Sequence, residues 1–209
     1  MARPKQDGSP AADARIEAAF FELLKEKPFD KITVSALVHE AGVNRNSFYY
    51  HFADLDDLAR SAVANLLVPE IPRLLASGFT PASEEVDEVF AKAVASTGAL
   101  GRLAAVTGAH STAALRGMLK SAFLDLWLEV FELTPDGLDR RTAATVDFAL
   151  GGMLELVSAL PPRADLVAEL DEIRRLPVVQ AVSRTVVSAL AEASRRAAAE
   201  RRGGAAGRR

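Results

Sequence analysis

Apolar residues recur at helical spacing along nearly the whole chain, and no stretch shows the alternation of apolar and polar positions that a half-buried strand requires. Ile16, Ala19, Phe20, Leu23 and Leu24 form the first stripe and predict a helix from Ala11 to Lys25, broken by Pro28 and Asp30. Thr33 then precedes a second periodic segment, Val34, Leu37, Val38 and Ala41, where its hydroxyl can accept a hydrogen bond from an unpaired amide at the helix start. Gly42 stops that segment, since a glycine just past a helix end takes the left-handed conformation that turns the chain sharply, and Val43 supplies an apolar plug under the turn. Asn44 is a good N-cap for a third helix with Arg45, Asn46 and Ser47 in its first turn. Phe48 and Phe52, four apart, point back into a core. Two short helices broken by a glycine turn, the second with a packing face and a free face, have the layout of a helix-turn-helix that reads DNA.

The pattern then continues into a larger helical body. Asp54 caps a fourth helix, with apolar positions at Leu55, Leu58, Val63, Leu66 and Leu67, which links head to body. Pro69 and Pro72 interrupt or kink it, and Gly78 to Pro81 reads as a loop. Further helices are predicted over about 83–97, 99–107, 111–132, 139–160, 164–173 and 176–200. The expected class is therefore all-α, with a three-helix N-terminal head over 11–53 and a helical domain over 54–200. The segment from Thr142 to Leu160 is apolar or small nearly all round, so it needs cover on more than one side; Phe148, Gly152 and Leu156 lie on it. The segment from Val178 to Ala193 carries Val179, Val182, Val186 and Leu190, with Ala189 and Ala193 small enough for close helix approach. Together these two suit a face that meets its symmetry mate as a four-helix bundle; the alternative is a pair of ordinary core helices in a monomer.

Composition narrows the chemistry. With 209 residues and 49% hydrophobic residues the chain can bury a substantial core. It has no Cys, so disulfides, thiolate metal sites and a Cys nucleophile are excluded. Its three His, at 39, 51 and 110, are dispersed without metal-ligand spacing, and neither a glycine-rich phosphate loop after a strand nor a nucleophile elbow is present. The expectation is no enzyme, no cofactor and no metal. Met1 to Pro10 is polar and no apolar run is long enough to span a bilayer, which points to the cytoplasm. Net charge is −3. Over residues 1–52, Arg3, Lys5, Arg15, Lys25, Lys27, Lys31 and Arg45 balance Asp7, Asp13, Glu17, Glu22, Glu26, Asp30 and Glu40, so positive charge must be placed toward phosphates by geometry. Residues 1–10 form a basic arm, either entering a minor groove or simply a disordered terminus, and 201–209 a flexible basic tail.

The run from Ile32 to Leu58, above all Ala41-Gly-Val-Asn-Arg-Asn-Ser-Phe-Tyr-Tyr-His-Phe52 with Asp57-Leu58 behind it, resembles the DNA-binding domain of the tetracycline-repressor-like (TetR/AcrR) family of bacterial regulators. With the preceding helix the resemblance covers roughly a quarter of the chain, and nothing beyond about residue 70 carries a recognisable motif. It implies a dimeric transcriptional repressor on a double-stranded operator. A small effector in a largely apolar pocket of the body would move the fourth helix, change the spacing of the two heads and release DNA. It also puts the dimer interface on the two late helices named above.

Arg45 is the candidate for base readout, because a guanidinium can donate two parallel bonds to guanine; the alternatives are a phosphate clamp or a solvated charge. Asn46 could pair with adenine or bridge through water, and Ser47 could meet a base or a phosphate. Thr33, Tyr49 and His51 match family positions that bind phosphate oxygens, His51 being equally suited to a structural bond at a helix end. Tyr50 is expected to buttress the core against the fourth helix. The family commonly has Lys where this chain has Leu55, and the acidic run around it, Asp54, Asp56 and Asp57, repels DNA. For the pocket, the polar or aromatic residues of otherwise apolar helices are the candidates: His110, Met118, Phe123, Trp127, Phe131 and Asp147. The lack of a dominant charge cluster favours an apolar or weakly polar effector. The competing function is a dimeric ligand- or protein-interaction module with weak DNA binding, controlled by a protein partner.

Overall fold

A computed structural model describes residues 11–95, 98–160 and 165–206, and among these the chain is helices and turns with no strand. The helices are α1 (Ala12–Glu26), α2 (Val34–Glu40), α3 (Arg45–His51), α4 (Leu55–Ala64), α5 (Glu70–Ala76), α6 (Glu84–Ala95), α7 (Ala99–Thr107), α8 (Ala113–Val130), α9 (Arg140–Ser158), α10 (Leu166–Arg175) and α11 (Pro177–Ala206). Single 3-10 turns lie at Phe29–Lys31 and Pro135–Gly137. The expected arm over 1–10 and the last three residues of the expected tail lie outside the described residues.

Local side chains fix most helix starts. Thr33, Asn44, Asp54, Thr112, Asp139 and Asp165 each accept a hydrogen bond from an amide in the first turn that follows, satisfying a donor the helix cannot. Two expectations are corrected. The fourth helix ends at Ala64, and the segment of Pro69 and Pro72 is itself a short helix, α5. Pro72 sits in the first turn of α5, where amides have no intrahelical partner, so its missing N–H costs nothing there. At the other end α11 does not stop at 200 but runs to Ala206, carried on from the helix-favouring run Ala197 to Ala199.

Two apolar clusters organise the packing. The first joins Ile16, Phe20 and Leu24 of α1 to Leu37, Phe48 and Leu58, and continues without a break to Val106, Leu115 and Leu119 of α7 and α8. Head and body thus share one core, bridged by α4, whose Leu58, Ala59, Ala62 and Val63 are completely buried. Polar bonds reinforce the bridge. Glu17 of α1 accepts from Ser61 Oγ at 3.3 Å and Asn65 Nδ2 at 2.9 Å, and His110 Nδ1 donates to the Leu24 carbonyl oxygen at 3.2 Å. The second cluster packs Leu128 and Phe131 against Val146 and Ala149 of α9 and against Val186 and Leu190 of α11.

Candidate functional site

The turn between α2 and α3 is held from three sides. Gly42 adopts φ 61°, a conformation that L side chains rarely take, and the Val43 amide returns to the Val38 carbonyl at 3.0 Å. Arg15 of α1 reaches across, donating from Nε to the Ala41 carbonyl at 3.1 Å and from its terminal nitrogen to the Gly42 carbonyl at 2.6 Å. These carbonyls terminate α2, so the guanidinium neutralises the negative end of that helix. Below α3, Phe48 is completely buried and lies 5.9 Å from the Phe52 ring. Helix α3 is therefore fixed in rotation by its aromatic underside and in position by its capped start.

Its outer side is free. Arg45, Asn46, Tyr49, Tyr50 and His51 are exposed and Ser47 is half-buried. Arg45 donates to Ser35 Oγ of α2 at 3.2 Å, an exposed bond that water or a base can replace. Ser35 was not among the residues the sequence singled out; its side chain lies where α2 faces the start of α3. Tyr50 departs from expectation. It does not buttress the core but is 85% exposed, its ring edge-on to His51 at 5.0 Å. At about 100° per residue, position 50 stands opposite the buried pair Phe48 and Phe52, in the middle of the outward face between Asn46 and Ser47. Thr33 caps α2 with its Oγ1 accepting from the Ala36 amide at 3.2 Å, and remains exposed.

The acidic start of α4 has a structural explanation. Asp54 accepts from the Asp57 amide at 2.8 Å, while Asp57 accepts from the Ala53 amide at 2.9 Å, a reciprocal box that satisfies two orphan donors. Leu55 packs half-buried against the first core.

A cavity of about 340 Å³ lies in the body, between the two apolar clusters. Of the candidates Phe123 and Trp127 line it, with Phe90, Leu103, Met153 and Val182 among the other walls. Leu66, Leu67 and Val68, directly after α4, also border it. The other candidates lie elsewhere. His110 ties the α7–α8 turn to α1, Met118 packs on the first cluster, Phe131 belongs to the second and stacks on Trp127, and Asp147 points to solvent in an ion pair with Lys120 at 2.6 Å. Most of the cavity wall is aliphatic, and such side chains carry no chemical signature in a sequence, so the polar and aromatic candidates mark only part of it.

The candidates for the dimer face divide similarly. Phe148 is 77% exposed, and Gly152 and Leu156 follow it at four-residue intervals on the open side of α9. On α11, by contrast, Val179, Val186 and Leu190 are buried inside the protomer and Val182 lines the cavity, so these four are not available to a second copy. The stripe of α11 that accompanies Phe148 at the surface is the smaller one, Val178, Ala181, Thr185 and Ser188.

A capped, glycine-turned helix pair presenting an open, polar second helix defines a helix-turn-helix DNA-binding domain. Residues 16–62 match the family described as bacterial regulatory proteins, tetR family. The chain is also similar to an uncharacterized HTH-type transcriptional regulator of Haemophilus influenzae (strain ATCC 51907 / DSM 11121 / KW20 / Rd), at 37% identity over 62 residues. That stretch is 29% of this chain and 30% of the relative, so the likeness spans less than a third of either protein. Among the described residues no helix is long and apolar enough to cross a membrane.

Proposed function

We propose that this protein is a homodimeric transcriptional repressor that binds an operator through α3 and lets go when a small, largely apolar molecule fills the body cavity. The observation that carries the DNA half is the outward face of α3, where Arg45, Asn46, Ser47 and Tyr50 project from a helix locked underneath by Phe48 and Phe52. Base-edge bonds from these side chains would supply selectivity, while Thr33, Tyr49 and His51 at the margins would hold phosphates and set the register. The acidic residues at the start of α4 have a structural reason to be there, since Asp54 and Asp57 cap backbone amides.

The release half rests on continuity. Leu66, Leu67 and Val68 border the cavity and directly follow α4, whose other face is buried in the core of the head. A ligand that fits only when this junction has shifted would drag α4, and with it the head, by as much free energy as its preference between the two states supplies. A tenfold preference corresponds to about 1.4 kcal/mol. A single recognition helix reads little sequence, so a second copy is needed. The exposed Phe148, Gly152 and Leu156 of α9, beside Val178 and Ala181 of α11, are the face proposed for it.

Fluorescence anisotropy on DNA flanking the gene, with competitor DNA and varied salt, tests the proposal. Selective binding that weakens steeply with salt is expected; absent or wholly unselective binding on flanking and selected DNA alike would replace the repressor with an interaction module. Sedimentation of the wild type should show a dimer and of Phe148→Asp a monomer, and a monomeric wild type would remove the dimer from the proposal.

A further inference from the structure

The open faces of α9 and α11 carry charge in a self-complementary order. On α9, Arg141, Phe148 and Glu155 recur at seven-residue intervals, so they share one side of the helix, and all three are exposed. On α11, Arg184, Ser188 and Glu192 recur at four-residue intervals and are exposed too. Each triplet is basic toward its N-terminal end, acidic toward its C-terminal end and uncharged midway. Two neighbouring acids are satisfied inside the protomer, Asp139 by Arg196 at 2.6 Å and Asp147 by Lys120 at 2.6 Å. Arg141, Glu155, Arg184 and Glu192 are in no ion pair among the described residues. The two midpoints also stand at one height. Helices α9 and α11 run antiparallel, joined at one end by Asp139 and Arg196, while Val157 and Val179 both line the cavity at the other. Phe148 lies nine residues after Asp139 and Ser188 eight before Arg196, so one line across the pair of helices passes both.

We infer that a second copy of this chain covers this face in antiparallel fashion, α9 on α9 and α11 on α11, about a two-fold axis that passes Phe148 and Ser188. This rests on the dimer proposed above and assigns its axis. A two-fold contact brings residue i onto j and j onto i. About this axis Arg184 meets Glu192 of the partner subunit and Arg141 meets Glu155 of the partner subunit, each pair occurring twice. Phe148 meets Phe148 of the partner subunit on the axis, and Gly152 falls opposite Ala144 of the partner subunit, where neither side chain obstructs. Small residues on the open side of α11, Ala181, Thr185 and Ser188, let the two copies of that helix approach closely. An axis along the helices would instead set α9 against the partner's α11. Glu155 would then stand level with Gln180 of the partner subunit, a turn away from Arg184, and the symmetry of each triplet about its own midpoint would serve nothing.

The chain has no Cys, so one introduced thiol reports on the axis. In the full chain, Ser188→Cys should give a disulfide-linked dimer under mild oxidation. Ala181→Cys should not, because seven residues from the axis at about 1.5 Å per residue hold the two thiols about 20 Å apart. Sedimentation of charge variants reads the pairing itself. Arg184→Glu alone and Glu192→Arg alone each set like charges together at two places, and each should raise the dissociation constant of the dimer about tenfold. The two substitutions combined exchange the partners of each pair and should restore the wild-type constant. An axis along the helices gives no such rescue, since Arg184 and Glu192 would then face different residues. A double variant as weak as the singles, single reversals without effect, or no link through position 188 would overturn the inference while leaving the dimer. A wild-type chain that sediments as a monomer would overturn both.

Discussion

Arg45 and Tyr49 lie one helical turn apart on α3 but are assigned different work, and their substitutions separate that work. Arg45→Ala should lower discrimination between operator and mutated operator by about 1–3 kcal/mol, measured by competition anisotropy, with the dimer intact. Tyr49→Phe should weaken binding by a similar factor on every sequence, since a phosphate contact carries no base information; a loss that depends on sequence would reassign it to readout. Tyr50 was legible and misread. The spacing that turns Phe48 and Phe52 inward places position 50 on the opposite side, yet an aromatic beside other aromatics invited a core assignment. Arg15 was not legible in the same sense. Its bonds to the Ala41 and Gly42 carbonyls join residues 26 and 27 positions apart, which only the packing of α1 across the turn brings together.

Elements were readable where a cap or a stripe announced them. Thr33, Asn44 and Asp54 each mark a helix start by a side chain whose chemistry is local, and Phe48 and Phe52 orient α3 through a spacing of four. The proline pair at 69 and 72 misled because a proline stops a helix only from its interior. On α11 the stripe of Val179, Val186 and Leu190 was found, but periodicity does not say which neighbour a stripe meets, and here it meets the protomer's own core. The end of α8 offers a clean test of local strain. Glu132 closes the helix in the left-handed conformation at φ 53°, with the Leu133 amide returning to the Leu128 carbonyl at 2.9 Å. Glycine is the residue that takes this backbone without a Cβ penalty. Glu132→Gly should therefore stabilise the protein by about 0.5–1 kcal/mol, seen as a higher midpoint in thermal unfolding; a lower midpoint would mean that unfolded-chain entropy outweighs the relief.

For the whole molecule, the contact between α6 and α10 sets an acid limit. Hydrogen bonding from Arg175 holds the Asp87 carboxyl below its ordinary pKa, against an opposing desolvation and with help from Arg174. Burial pushes Asp171 upward, but bonds from Arg175 and Arg174 outweigh it and leave its pKa lowered too. A carboxylate depressed by folding stabilises the native state above its unfolded pKa, and that contribution disappears as pH falls through the folded value. The cluster should thus support the body at neutral pH and lose its effect below about pH 4. Asp87→Asn should be less stable than the wild type at pH 7, and the two should converge in urea unfolding as the medium is acidified; a constant gap would separate Asp87 from the acid response.

Because Leu115 and Leu119 of α8 share a core with Phe48 under α3, a genetic screen for loss of the proposed DNA binding need not return only changes in the head. Substitutions in α7 and α8, distant in sequence from any proposed base contact, should appear among the non-binders. They would do so without altering the surface presented to DNA, by loosening the floor on which α3 stands.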